Sequence, residues 1–448
     1  MTSRLTQFDI DGLFGLYSHR IPINLDPRIT IIIGPNGRGK TVCLKFIEAL
    51  FRKKFAYFRE IPFQVARFRF SNGDVIEVTV KRDATPDERS NATVELALTR
   101  PKGIRLTCTP TRLDDKLKKE LRKYIPSHWR QIDFDIWQDQ SDGEEVDLAS
   151  LLQRYRMPSR LQTALKQILP DEFENLIAPV DCHLIETQRL LVLQSEPMDV
   201  DPWLVRRRQA VRTSSNLAIQ EKANKLQAIL KDKLTESANL SQSLDRTFPL
   251  RVFDAQRSTT LSEEQLREEL KLLDEKREAL MQAGILDAHY QPVTMPGGQI
   301  DRGVVKALEI YVKDATQKLE IFNDLRARVD LFKRLMAERF VDKTIHIDRE
   351  HGFRITSKTS APVPLDKLSS GEQHQLILIF DLLFEVTPNS LILIDEPELS
   401  LHVAWQKTFI TSLEQIIVLN NFDVLLATHS PALVAKHFSL AVELGPVE

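Results

Sequence analysis

The sequence has few cysteines, no long apolar run and almost no net charge. Its three cysteines are far apart in the 448-residue chain and match neither a metal-site nor a disulfide spacing. No apolar run approaches the roughly 20 residues that span a bilayer, and the first residues lack the apolar core of a signal peptide. A net charge of −2 gives no overall attraction to nucleic acid. We therefore expect a cytoplasmic protein with no membrane partner.

A complete phosphate-binding loop is present near the start of the chain. The β-branched run Ile29–Ile33 predicts a buried strand, and Val42–Phe51 has the apolar spacing of a helix. Between them lies a G-x-x-x-x-G-K-[ST] motif, whose glycines let the backbone wrap phosphates while its lysine neutralises the β and γ groups. The predicted nucleotide-binding residues are Gly34, Pro35, Asn36, Gly37, Arg38, Gly39, Lys40 and Thr41.

Two later strands deliver polar residues of the type that phosphate chemistry needs. Leu391–Ile394 predicts a buried strand that ends in Asp395 and Glu396, and a second strand, 422–427, is followed by His429. Carboxylates at the carboxyl end of a parallel strand are suited to a magnesium ion and a general base. The alternative, two structural acids at a strand end, is disfavoured by the phosphate loop.

A helix start with anion-binding character precedes these strands. The segment 368–373, with the sequence Leu-Ser-Ser-Gly-Glu-Gln, leads into an apolar run of helical length. Free backbone N–H groups and the positive end of the helix dipole favour an anion there. Ser370 and Gly371 are the predicted contacts.

These motifs, in this order and spacing, resemble the ABC-type ATPase heads of the SMC and RecF group. The resemblance identifies residues 34–41 as the Walker A motif, 368–373 as the signature, Asp395 and Glu396 as Walker B, the following residues as the D-loop and His429 as the switch histidine. It implies an α/β P-loop fold of the AAA_15 or AAA_21 type. The sheet would be mixed, with an antiparallel β subdomain and a helical or short coiled-coil insertion.

The periodicity of the chain agrees with that plan. Alternation on both sides of Asn72-Gly73 predicts a β-hairpin within 63–81, and 138–147 is interpreted as an acidic loop. Helices are predicted at 218–244, 261–283 and 304–340, without a Cys-x-x-Cys hook at their tip. The predicted domains are an N-terminal lobe of the head at 1–200, the helical insertion at 201–340 and a C-terminal lobe at 341–448.

The resemblance also implies roles for individual residues. Thr41, Gln188 and Asp395 would hold Mg²⁺ with ATP. Gln188 is the best positional match to the Q-loop glutamine, a catalytic residue that would also sense the attacking water. A polar residue that merely caps a strand is the alternative at Gln188. Glu396 would be the catalytic base, and His429 would contact the γ-phosphate. Ser370 and Gly371 would reach the ATP of a second head, which implies a homodimer or a higher oligomer.

The biological role is predicted from the overall layout. The sequence offers no second catalytic constellation, and we expect no room after His429 for a Toprim nuclease. The layout is similar to the stand-alone ATPases of bacterial antiphage defence, such as those of the PARIS and Septu systems. That similarity implies a sensor or scaffold that controls a separately encoded effector, expected to be a nuclease, in response to a phage-derived trigger.

Two alternatives stay open at this stage. A RecF-like repair ATPase would clamp DNA. The arginines at 206–208 and 212 form the densest basic cluster for such a contact, although an exposed helix start is the favoured explanation of them. A scaffold that binds ATP with little turnover is the other alternative, and the intact Glu396 disfavours it.

Overall fold

A computed structural model describes residues 3–81, 93–101, 103–110, 120–131, 136–140, 145–147, 151, 154–155, 169–186, 202–254, 261–287 and 301–445, with the backbone alone at 136, 145, 147, 186, 202–217, 254, 400, 403 and 404. The chain forms two compact units. The first contains Met1–Gln194 and Thr387–Glu448, and the second is Ser195–Val386. The predicted division at residues 200 and 340 stays a prediction.

The described elements follow one another as runs of strands and runs of helices. The strands are β1 (Leu5–Leu13), β2 (Tyr17–Pro22), β3 (Ile29–Ile33), β4 (Val65–Phe70), β5 (Val75–Lys81), β6 (Thr93–Thr99), β7 (Arg105–Cys108), β8 (Trp129–Gln131), β9 (Ile136–Asp139), β10 (Glu145–Asp147), β11 (Cys182–Glu186), β12 (Lys343–Asp348), β13 (Gly352–Ser357), β14 (Pro362–Val363), β15 (Leu391–Asp395), β16 (Asp423–Ala427) and β17 (Ala441–Glu443). The helices are α1 (Lys40–Phe51), α2 (Tyr57–Glu60), α3 (Asp171–Ile177), α4 (Pro202–Asp254), α5 (Glu263–Ala283), α6 (Arg302–Glu320), α7 (Asn323–Arg339), α8 (Ser370–Phe380), α9 (Val403–Asn420) and α10 (Pro431–Val434).

A parallel sheet forms the centre of the first unit, with the strand order β11-β15-β16-β3-β17. Strands β15 and β16 are buried along their whole length, as expected for apolar strands covered on both faces. In the register of the sheet, Asp395 lies opposite Ala427, and Ala427 lies opposite Ile32. The carboxyl ends of β15, β16 and β3 therefore finish together at one edge.

The first unit also contains an antiparallel sheet with the strand order β2-β1-β4-β5-β6-β7. The predicted hairpin is present as β4 and β5, joined by a turn in which Gly73 has a φ of +85°. Alternate residues point inward, so that the rings of Phe8 and Phe68 lie 5.0 Å apart. One hydrophobic cluster includes side chains of this sheet, of the parallel sheet and of α1, among them Phe46 and Leu393.

The interpretation of 138–147 as a loop is wrong at 138–139 and 145–147. Strands β9 and β10 pair in antiparallel fashion there, and Val146 lies opposite Trp137. Trp137 is buried in a small cluster of its own with Trp129. The polar composition of the segment concealed an alternation that places Trp137 and Val146 on one face.

The second unit combines long helices with a small antiparallel sheet, β12-β13-β14. Helices α4 and α5 both pack on α6, and α4 also passes β13. At that crossing, a Cβ added to Gly352 would lie 1.9 Å from the carbonyl oxygen of Ala223. Only glycine allows the two backbones to approach so closely.

Two of the predicted helices differ from those observed. The helix predicted at 218–244 extends over Pro202–Asp254. The single helix predicted at 304–340 is two helices, α6 and α7, which meet at Ile321 and Phe322. Apolar spacing continues across this break without glycine or proline, so the sequence carried no signal for it.

No helix in the described part of the chain is long and apolar enough to cross a membrane. Among the same residues, no cluster of three or more His, Cys, Asp or Glu side chains forms a ready-made metal site. Gln188 lies outside the described residues, and so do the side chains of the arginine cluster at 206–212.

Candidate active site

The phosphate-binding loop connects β3 to α1 at the edge where the parallel strands end. Gly34, Gly37 and Gly39 have φ values of +150°, +80° and +87°, in the region that favours glycine. A Cβ on Gly39 would lie 2.6 Å from Cδ2 of Leu13, so this position also requires the absence of a side chain. Pro35, Asn36 and Gly37 form the exposed tip of the loop.

Lys40 is buried inside its own loop. Its Nζ donates to the carbonyl oxygens of Gly34 at 2.8 Å and Pro35 at 3.0 Å, and it lies 3.3 Å from Nδ1 of His429. Burial lowers the pKa of Lys40, while the nearby carboxylates, Glu396 foremost, oppose that shift. The ammonium therefore lies between backbone carbonyls and acidic neighbours.

Arg38, also in the loop, faces the antiparallel sheet. Its guanidinium lies over the ring of Tyr17, 5.0 Å from the centroid. The His19 ring stacks on Tyr17, and its Nε2–H donates to the carbonyl oxygen of Arg38 at 2.8 Å. Burial lowers the pKa of His19, which keeps its imidazole neutral. These contacts fix the outer side of the phosphate loop.

Thr41 and Asp395 are in direct contact. The hydroxyl of Thr41 donates to Oδ1 of Asp395 at 3.0 Å, which joins the first turn of α1 to the end of β15. Asp395 itself is 6% exposed. A hydroxyl and a carboxylate held together provide the hard oxygen ligands that Mg²⁺ prefers, so the residues present fit this ion.

Glu396 follows directly in a left-handed conformation, with a φ of +47° and a ψ of 55°. Such a conformation costs a non-glycine residue about 1–2 kcal/mol. Its backbone N–H donates to the carbonyl oxygen of Ala427 at 2.9 Å, which holds the strained residue against β16. Strain maintained by neighbouring structure is typical of residues with a role in chemistry.

His429 follows β16 and completes the group. Its Nε2 lies 3.8 Å from Oε1 of Glu396, while Nδ1 faces Lys40. Burial lowers the pKa of His429, and the positive charge of Lys40 lowers it further. The imidazole is therefore neutral near pH 7 and can donate one hydrogen bond and accept another.

Glu398 is a carboxylate to which the sequence assigned no role, and it contacts the same segment. It accepts hydrogen bonds from the hydroxyl of Thr428 at 2.8 Å and from the backbone N–H of His429 at 2.7 Å. The sequence did contain one indication of this role. Glu398 lies two residues beyond Glu396, and a tight turn can place both acids near the next strand.

The signature segment belongs to the second unit. Ser369 caps α8: its hydroxyl accepts from the N–H of Glu372, and the Glu372 carboxylate accepts from the N–H of Ser369 at 2.9 Å. Lys343 binds the same carboxylate at 2.5 Å. Ser370 and Gly371 form the first turn, where Ser370 is exposed. The serine and the glutamate three residues later form a capping box, a signal present in the sequence.

The structure thus brings together Lys40, Thr41, Asp395, Glu396 and His429 in one unit. Their catalytic and ligand roles stay predictions.

Comparison with known proteins shows the family of the chain. The family model AAA_15, described as an AAA ATPase domain, matches residues 13–434. The chain belongs to this ATPase family. The expected P-loop ATPase fold is confirmed, with a mixed α/β architecture and a helical insertion. Membership in the family supports nucleotide binding and ATP hydrolysis in general. No curated protein matches the sequence.

Solved structures similar to this AAA ATPase domain include Smc head domains. One, from Pyrococcus furiosus, carries an extended coiled coil and is bound to the C-terminal domain of ScpA. It is 13% identical, with 97% of this chain and 92% of that chain covered and a TM-score of 0.34. The SMC head domain from Thermotoga maritima is 11% identical, with 96% and 91% covered and a TM-score of 0.33.

Proposed function

We propose that the chain is an ABC-type ATPase whose paired heads bind and hydrolyse ATP, and that it controls a separately encoded effector in antiphage defence. The observation that carries the enzymatic part is the grouping of Lys40, Thr41, Asp395, Glu396 and His429 where three parallel strands end. A cation, two oxygen ligands, a carboxylate base and a neutral imidazole are the groups that phosphoryl transfer to water requires.

In this proposal the phosphate loop and magnesium neutralise the negative charge of the ATP phosphates. Lys40 exchanges its loop carbonyls for the β- and γ-phosphates of ATP. Thr41 and Asp395 would hold Mg²⁺, with Gln188 as a third ligand, and the ion would supply positive charge next to the phosphates. The backbone N–H groups of residues 34–39 surround the phosphates.

Glu396 and His429 act on the attacking water and the terminal phosphate. Water attacks the γ-phosphorus, the bond from that phosphorus to the ADP oxygen breaks, and the proton of the water passes to the Glu396 carboxylate. His429 donates a hydrogen bond to the γ-phosphate, a role that its neutral ring permits. ADP and inorganic phosphate then leave.

The pairing of heads follows from the resemblance to SMC and RecF ATPases. Ser370 and Gly371 of one head would contact the nucleotide held by residues 34–41 of another, so that ATP joins the heads and hydrolysis releases them. The exposed Ser370 at the capped start of α8 supports this assignment.

The effector role is inferred from the layout of the chain, an ATPase head with a helical insertion. The resemblance to the PARIS and Septu ATPases favours a nuclease as the partner and a phage-derived trigger. The protein would act in the cytoplasm.

A DNA clamp of the RecF type is less well supported. On the described part of the antiparallel sheet, Arg67 pairs with Asp11 and Glu77, Arg69 pairs with Asp9, and Arg105 pairs with Glu77. Cations neutralised by carboxylates of the same sheet contribute little to phosphate binding.

The test is a comparison of wild type with Glu396→Gln. We expect the variant to bind ATP and to lose turnover by about 100-fold or more, because the general base is missing. Affinity purification from cells carrying the neighbouring genes, followed by mass spectrometry, should recover a nuclease-like protein whose occupancy differs between the two forms. Equal turnover would refute the assigned base. Recovery of DNA alone, or of no partner, would refute the effector role.

A further inference from the structure

Glu398 uses both of its carboxylate oxygens on the segment that carries His429. Oε1 accepts from the backbone N–H of His429 at 2.7 Å, and Oε2 accepts from the hydroxyl of Thr428 at 2.8 Å. Hydrogen bonds to an ionised carboxylate are shorter and stronger than those between neutral groups. The carboxylate therefore restrains the backbone and one side chain at the end of β16 simultaneously.

The remaining contacts of this segment close a ring of hydrogen bonds. The N–H of Ser430 donates to the hydroxyl oxygen of Thr428 at 3.0 Å, and the hydroxyl of Ser430 donates to Gln406 at 2.7 Å. The side-chain amide of Gln406 in turn donates to the carbonyl oxygens of Glu398 at 3.4 Å and Leu401 at 3.2 Å. The turn after β15 is thus linked to the segment after β16 twice, directly by the Glu398 carboxylate and indirectly through Gln406.

We propose that Glu398 is a positioning residue for ATP hydrolysis, which holds the His429 imidazole in place between Lys40 and Glu396. This inference rests on the function proposed above. The ring of His429 lies 3.3 Å from Lys40 and 3.8 Å from Glu396, and neither contact anchors its backbone. Glu398 supplies that anchor. A displacement of about 1 Å in such a group can lower a rate by about 100-fold.

The charge of Glu398 also affects the protonation of His429. The groups that face His429 are Lys40, Glu396 and Glu398. Burial and Lys40 lower the pKa of His429, whereas Glu396 and Glu398 raise it. Removing the charge of Glu398 should therefore lower the pKa of His429 further and move the acidic limb of the kcat profile to lower pH. A residue that only stabilised the fold would leave this limb in place.

The first experiment measures the anchor directly. Amide hydrogen exchange followed by mass spectrometry compares wild type with Glu398→Ala, Glu398→Gln and Glu414→Ala. Glu414 is the matched control, because its carboxylate contacts His437 at 3.5 Å in the same unit. We expect faster exchange at residues 428–430 in Glu398→Ala, a smaller change in Glu398→Gln, which keeps one acceptor oxygen, and none in Glu414→Ala. Unchanged exchange in Glu398→Ala would overturn the proposal.

The second experiment measures the consequence for turnover. In Glu398→Ala, kcat should fall about 10- to 100-fold, with ATP affinity nearly unchanged. In a His429→Ala background the same substitution should change kcat by less than about 2-fold, because the two residues act as one unit. An equal loss in both backgrounds would overturn the proposal. If the wild type shows no turnover, or if Glu396→Gln equals it, the proposed function fails, and the exchange measurement still decides whether Glu398 anchors His429.

Discussion

Lys40 shows how a single residue prepares the site for its ligand. Its ammonium already donates to two carbonyl oxygens of the phosphate loop. A phosphate must therefore replace existing partners of Lys40 rather than meet a free charge. The loop keeps its shape in the meantime, because the lysine joins the two sides of the turn.

Gly39 gives a prediction at the same scale. In Gly39→Ala, the φ of +87° costs about 1–2 kcal/mol, and the contact of the new Cβ with buried Leu13 adds about 1–3 kcal/mol. Gly15→Ala is the matched control, with a φ of +72° and no atom within 4 Å of the new Cβ. Urea denaturation should show the larger loss of stability for Gly39→Ala, and ATP affinity should fall in that variant alone. Equal losses would contradict the contact with Leu13.

The signature helix, α8, has an uncommon structure at its C-terminal end. Helix α8 continues into a π-helical turn, Asp381–Glu385. Lys222 of α4 binds Asp381 at 2.7 Å and Glu385 at 2.8 Å, and Lys225 binds Glu385 as well. This ion cluster joins the longest helix of the second unit to the helix that begins with the signature.

The cluster predicts a pH-dependent stability. Burial raises the pKa of Asp381 from 3.8 to about 6, against the effect of Lys222. The folded state thus binds this proton more tightly than the unfolded chain. The favourable contribution of Asp381 is complete below pH 3.8 and is lost as the pH rises through about 6. The variant Asp381→Asn does not lose stability in this way, because asparagine does not titrate.

The urea midpoint of Asp381→Asn, relative to wild type, should therefore rise between pH 5 and pH 7. Asp330→Asn, an exposed substitution on α7, serves as the control and should give a constant difference. Parallel curves for Asp381→Asn and wild type would contradict the raised pKa.

The sequence predicted those elements whose role is fixed by a motif. Strand β3 has the predicted bounds, and β15 and β16 differ from their predicted bounds by one residue, because uninterrupted apolar runs next to motif residues leave little choice. The break between α6 and α7 was not predictable, since Ile321 and Phe322 continue the apolar pattern. The contacts of Glu398 were equally hidden, because they depend on the register of β15 against β16.

At the scale of the whole molecule, the paired-head proposal predicts association that depends on ATP. Glu396→Gln with ATP and magnesium should double its mass in light scattering, while the nucleotide-free protein should not. Adding Ser370→Arg should prevent the doubling without loss of ATP binding, since the bulky cation occupies the signature surface. Thr359→Arg, at an exposed position of the same unit, is the control. Doubling in the Ser370→Arg variant would contradict the proposed interface.

The order of strands in the parallel sheet affects how the protein folds during synthesis. Both neighbours of β3, namely β16 and β17, come from residues 423–443, whereas β3 ends at Ile33. The strand that carries the phosphate loop therefore leaves the ribosome long before either of its partners exists. Until then the backbone N–H and C=O groups on both edges of β3 have no strand to pair with. Unpaired strand edges promote aggregation, and pairing between distant segments is slow. The grouping of Lys40, Asp395 and His429 can form only after nearly the whole described chain has been translated.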